Sequence, residues 1–108
     1  MSRYAPGDVL LVPFPFAGED GTKLRPALVI ALDAAGNPVC CPIRSTARPG
    51  TPCMPIGIDD FSAGGLDLFH ESYVQADTVR TIRSGEVVGK KGEVAPEYLA
   101  GIIPLIRK

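Results

Sequence analysis

Pro26-Ala27-Leu28-Val29-Ile30-Ala31-Leu32, then Asp33-Ala34-Ala35-Gly36-Asn37, then Pro38-Val39-Cys40-Cys41-Pro42-Ile43: two short apolar runs flank a polar, glycine-bearing turn. Runs of this length suit strands, and the Asp, Gly and Asn between them accept turn dihedrals, so the segment predicts an antiparallel hairpin. Cys40 and Cys41 are neighbours on one strand and must point to opposite sheet faces, which keeps them from pairing with each other. With Cys53 they make three cysteines, an odd count that predicts buried free thiols. No C-x-x-C occurs and His70 is the single histidine, so no soft-ligand zinc set is expected.

Working outward, Asp8 to Phe14 is nearly all apolar and reads as a first strand that ends or turns aside at Pro13 and Pro15. Ala17 to Lys23 is polar and reads as an exposed loop, and Arg44 to Thr51 as a second one. Cys53 to Ile58 predicts a short strand, placed at a sheet edge by Pro55, and Asp59 to Gly65 a brief helical turn capped by Asp59 or Asp60. Tyr73 to Ile82 alternates and predicts one long strand. The period then changes: Pro96 follows Ala95 in a first helical turn, and Leu99, Ile102, Ile103 and Ile106 recur at helical spacing, so the chain should close on an amphipathic helix that Gly101 and Pro104 weaken.

Eleven prolines and twelve glycines, mostly between apolar runs, punctuate a mainly β domain with many turns. At 108 residues, one core must serve a single domain spanning 1–108. Five or six short strands and one terminal helix predict a small curled sheet or barrel. The apolar runs fall short of a membrane span and no signal segment opens the chain, so a cytoplasmic protein without a membrane partner is expected. A net charge of −1 argues against a broad basic face for duplex nucleic acid. Its distribution is uneven: between Gly21 and Ile58 stand Lys23, Arg25, Arg44 and Arg48 against Asp33 alone, and Asp59, Asp60, Asp67 and Glu71 follow. A local basic site of this kind suits a short single strand.

Gly7-Asp8-Val9-Leu10-Leu11-Val12 with Phe14-Pro15-Phe16, then Lys23-Leu24-Arg25-Pro26-Ala27-Leu28-Val29-Ile30, then Asp77-Thr78-Val79-Arg80-Thr81-Ile82 and Lys91-Gly92-Glu93-Val94 occur in an order and spacing that resemble the MazF/PemK toxin family. The resemblance runs through nearly the whole chain, and Arg25-Pro26 is its most diagnostic piece. It implies a twisted SH3-like barrel with a C-terminal helix, a homodimer, and single-stranded RNA in a groove bounded by loops. It implies cleavage without metal or other cofactor: the ribose 2′-hydroxyl attacks the adjacent phosphate and leaves a 2′,3′-cyclic phosphate and a 5′-hydroxyl. A cognate antitoxin is the implied protein partner, an acidic peptide docking over Lys23, Arg25, Arg44 and Arg48.

That chemistry needs a base for the 2′-hydroxyl, donors for the phosphorane and a proton for the leaving oxygen. Arginine suits the second task, because its planar fork matches phosphate oxygens and stays charged. Arg25, where loop gives way to strand, is the leading candidate. The family has a threonine or serine just after the third strand, where the strict match in Pro42-Ile43-Arg44-Ser45-Thr46 is Arg44. Three readings stay open: Ser45 or Thr46 turns inward through a bulge, Arg44 itself contacts the phosphate, or Ser45 and Thr46 are turn residues satisfying local backbone groups.

Asp77 matches an aspartate that some plasmid-borne members use as a base, paired with an arginine two residues earlier. Here that position is Gln75, which would share a strand face with Asp77, so Asp77 is read as a catalytic group, as a residue orienting Arg25 or Arg80, or as a structural aspartate fixing the strand, the last being favoured. Phe16 is the aromatic best placed to stack a base. Two rival classes remain. One is a catalytically impaired member that binds an antitoxin or a protein target such as gyrase. The other, an SH3-like peptide binder, is disfavoured by the absence of tryptophan.

Overall fold

The computed structural model describes residues 4–14, 23–44, 50, 52–64 and 72–106. Among them, eight strands and one helix follow in order: β1 Asp8–Phe14, β2 Lys23–Leu32, β3 Pro38–Arg44, β4 Cys53–Ile56, β5 Phe61–Gly64, β6 Ser72–Gln75, β7 Arg80–Thr81, β8 Gly89–Val94 and α1 Pro96–Ile106. The strands form one curled antiparallel sheet in the order β4-β6-β3-β2-β1-β8-β5, with β7 added to β3.

The β2–β3 hairpin forms as expected. Its turn is held by the Asp33 carboxylate, whose Oδ1 accepts from the amides of Ala35 at 2.9 Å and Asn37 at 2.8 Å. β2 starts three residues before the expected Pro26, so Arg25 lies inside the strand, paired with Val12 of β1 rather than at a loop boundary. Pro26 is tolerated because the β2–β3 register begins at Ala27↔Pro42, leaving no β3 partner at its own position. β4 occupies a sheet edge, where Pro55 is expected.

The apolar residues of β1 to β3 divide by strand alternation between two cores on opposite faces. Val9, Leu28, Cys41, Ile43, Ile56 and Val74 pack beneath α1 against Tyr98 and Ile102. Leu10, Val12, Ala27, Val29 and Cys40 form the second core, closed by Ile82 with Tyr4, Leu32 and Val87. Cys40 and Cys41 thus face opposite ways, both buried and both free. The helix meets β4 through Tyr98, whose hydroxyl donates to the carbonyls of Pro55 at 2.9 Å and Met54 at 3.2 Å. Gly101 belongs to this close approach, since a Cβ there would stand 3.1 Å from the Met54 methyl.

Three expectations are corrected. The long strand from Tyr73 to Ile82 is broken: β6 ends at Gln75, Thr78 N donates to the Gln75 carbonyl at 3.4 Å, and the chain rejoins β3 only at Arg80. The gap falls beside Cys41 and Pro42 of β3, and Pro42 has no N–H to offer a continuous partner strand. The helical turn expected over Asp59 to Gly65 is confined to Ile58–Asp60, where Asp60 Oδ2 accepts from Gly57 N at 2.8 Å, and Phe61 begins β5. Finally, Lys91-Gly92-Glu93-Val94, a motif with no strand assigned to it from the sequence, is part of β8. It pairs with both β1 and β5, and it needs Gly64 opposite, because a Cβ at φ +63° would lie 2.7 Å from the Lys91 carbonyl oxygen.

Candidate functional site

Strand alternation places the candidate residues before any side chain is considered. On β2, Arg25 follows the face of Ala27 and Val29, and on β3, Arg44 follows the face of Cys40 and Pro42. The β2–β3 register ends at Ala27↔Pro42, and Arg25 and Arg44 each lie two residues beyond that pair on their own strands, on the same face. β6 continues the row, since Arg44 pairs with Tyr73, and β4 adds Pro55 opposite Tyr73. One row inward, Gln75 pairs with Cys53 on β4 and flanks Pro42. The face that carries the second apolar core therefore runs out into a polar end made of Arg25, Arg44, Tyr73 and Gln75.

Arg25, Arg44 and Tyr73 are half-buried, and each is engaged by interactions within the chain. Arg25 and Arg44 are long side chains at the same end of one face, so two guanidinium groups can converge on one anion. Gln75 is only 3% exposed, and its Nε2 is buried with no hydrogen-bond partner. The sequence pointed to Arg25, Arg44 and Gln75 one at a time. It missed Tyr73, although Tyr73 stands two residues before Gln75 and shares its face by the same alternation.

Asp77 does not share that face. The turn at Gln75–Thr78 carries it off the strand, where it is exposed and accepts from the Thr78 hydroxyl at 3.3 Å. Its charge is felt instead by Cys41, which faces the helix-side core: burial first, and then Asp77, push that thiol up to about 12. Burial, with a smaller effect of Cys41, likewise pushes Cys40 up to about 12, so both thiols are protonated and poor nucleophiles at neutral pH. An open hollow beside Asp77 is lined by Thr78, Val79, Arg80 and Thr81. Phe16, Ser45, Thr46, Arg48 and His70 lie outside the described residues, and Lys23 is described by its place at the start of β2. Among the described residues, no three His, Cys, Asp or Glu side chains gather as a metal site, and no helix is long and apolar enough to cross a membrane.

A curled antiparallel sheet with one C-terminal helix is the fold of MazF-type toxins. The chain superposes on the Mycobacterium tuberculosis toxin MazF-mt6 with a TM-score of 0.67 at 19% identity, covering 92% of this chain and 91% of that one. A mycobacterial endoribonuclease solved in complex with its cognate antitoxin gives a TM-score of 0.58 at 22% identity, covering 93% and 87%. Identities this low carry the fold alone. No curated protein sequence matches the chain. Residues 5–107 do match the family model of the PemK-like, MazF-like toxins of type II toxin–antitoxin systems, and the chain belongs to that family.

Proposed function

We propose that the protein is a toxin endoribonuclease that cuts single-stranded RNA by 2′-hydroxyl attack and is neutralised by a cognate antitoxin. The observation that carries this reading is that Arg25 and Arg44 lie on one face, each two residues beyond the last β2–β3 pair, Ala27↔Pro42. In the reaction the 2′-hydroxyl gives up its proton and its oxygen bonds to phosphorus. The pentacoordinate phosphorane gathers charge that the two guanidinium groups are built to meet, and the 5′-oxygen leaves with a proton. A 2′,3′-cyclic phosphate and a 5′-hydroxyl result. Ser45 and Thr46 follow Arg44 directly in the chain and supply the hydroxyl that the family has near this point; Lys23, Arg48 and Phe16 extend the RNA contact.

The similarity to a toxin solved with its antitoxin supports a protein partner for this chain as well. An acidic, disordered antitoxin segment folding over Arg25 and Arg44 would exclude RNA by occupying the same cations, and its affinity would fall with salt. The active form is a cytoplasmic homodimer that uses neither metal nor other cofactor.

The deciding experiment incubates purified protein with a long RNA in EDTA and maps the cut ends. Cyclic-phosphate ends that persist under chelation support the reading, and a 2′-deoxy nucleotide at the cut site should block it. One feature favours a second reading: Arg44 stands where the family has a hydroxyl, and a chain impaired in catalysis would hold an antitoxin or another protein without cutting. Absence of cleavage together with antitoxin binding would establish that alternative.

A further inference from the structure

A buried amide with an unused N–H destabilises a fold, and native proteins keep few of them. Gln75 is such a case, 3% exposed with Nε2 unpartnered. Its register neighbours explain why. Pro42 flanks it on β3 and Cys53 pairs with it on β4, and neither side chain is a strong acceptor. Along the same face stand Arg44 and Arg25, whose guanidinium groups hold only donors. Three donor side chains from three adjacent strands therefore collect at one end of one face. The ligand that complements them is anionic and rich in acceptor oxygens.

We propose that the Gln75 side-chain amide donates to a non-bridging phosphate oxygen of the RNA held by Arg25 and Arg44, and that it strengthens this bond as the phosphorane forms. The inference rests on the nuclease reading above and adds a residue to it. An amide provides the third donor without bringing a third positive charge beside two arginines, which a lysine or arginine on the same face would do at a cost in repulsion. In the free protein Nε2 is closed off from solvent, so the bond forms only when substrate parts its cover. The hydrogen bond missing from the free state is then made in the complex. A donor held in a buried, weakly polar setting and aimed at developing charge is worth more than the same donor in water.

This arrangement links stability and activity with opposite signs. Gln75→Met keeps length and volume and removes the unmatched donor, so it should melt higher than the wild type, by roughly 4 °C or more. It should also cut RNA roughly tenfold to a hundredfold more slowly, with the loss in kcat rather than KM. Gln75→Glu is close to isosteric, replaces the donor by an anionic acceptor, and should cut more slowly still. The sequences at which the RNA is cut should be the same for the wild type and Gln75→Met. If the wild type cuts RNA and Gln75→Met cuts as fast, this inference fails and the nuclease reading stands. A changed set of cut sequences overturns it as well, in favour of a contact to a base edge. A Gln75→Met protein that melts lower than the wild type shows Gln75 to be an ordinary structural residue. A wild type that neither cuts nor binds RNA removes the nuclease reading, and this inference with it.

Discussion

Replacing Arg25 and Arg44 by alanine, singly and together, tests whether one phosphate lies between them. Arg25 and Arg44 each lie two residues beyond the last β2–β3 pair and on one face, so two long side chains can reach a common point. Removing one donor to an oxyanion costs about 10²–10³ in kcat, or about 2.7–4 kcal/mol. Two independent losses would multiply to about 10⁴–10⁶. Residues that share a partner do not act independently, and coupling energies of about 0.5–3 kcal/mol are usual between groups in contact with one network. The double variant should therefore retain roughly ten to a hundred times more activity than the product of the single effects predicts. The assay is kcat/KM on a fluorogenic RNA oligonucleotide spanning a mapped cut, with folding checked by thermal melting. Additivity to within about 0.5 kcal/mol would show that the arginines serve different phosphates. An Arg44→Ala protein with wild-type kcat/KM would refute the paired-arginine site outright.

Asp77→Asn should change kcat/KM by less than roughly threefold, because the turn after Gln75 carries Asp77 off the strand to an exposed position where it accepts from Thr78; a hundredfold loss in the same oligonucleotide assay would restore it as the base. Tyr98→Phe removes the donor to two carbonyls of β4 and should cost about 1–2 kcal/mol in urea unfolding, without altering cleavage. Cys40 and Cys41 should resist a thiol-specific disulfide reagent at pH 8 in the native state, while in denaturant all three cysteines react. The same two thiols set an alkaline limit. Each is an acid whose folded value, about 12, lies above its ordinary 9.0, so the unfolded chain loses protons first. Stability is untouched below that ordinary value and falls as pH rises from 9 toward 12, by up to about 1.4 kcal/mol per unit for each thiol. A pH series of urea melts on the wild type and a Cys40→Ala, Cys41→Ala protein measures it, and equal slopes would count against the burial argument.

What the chain disclosed about itself followed the range of the forces involved. β1, the hairpin turn and the closing helix rest on local patterns, so Asp8–Phe14 was read to the residue and the hairpin nearly so. β5 and β8 were not read, because Gly89-Lys90-Lys91-Gly92-Glu93-Val94 is polar and glycine-bearing. It is a strand because β1 and β5 flank it, and because Lys90 ties back to the buried Asp8 at 3.3 Å. The break between β6 and β7 has its cause in another strand, where Pro42 cannot donate, and nothing within Tyr73 to Ile82 announces it.

The site was half legible for the same reason. Arg25 carries a local signature in Arg25-Pro26, but its partners are chosen by register. Reading the register requires knowing that β3 lies between β2 and β6, a fact about topology that no local spacing contains. Once it is known, the position of the site follows from the core. Strands β1 to β3 carry apolar residues on both faces over most of their length, and Leu10, Val12, Ala27, Val29 and Cys40 spend one face on the second core. The next residues outward on that face are Arg25, paired to Val12 of β1, and Arg44, paired to Tyr73 of β6. A donor set fixed by strand backbone holds its geometry better than one carried on loops, and transition-state stabilisation depends on that precision. The buried, unmatched amide of Gln75 is the local cost in stability of carrying a polar end on a face that is otherwise core.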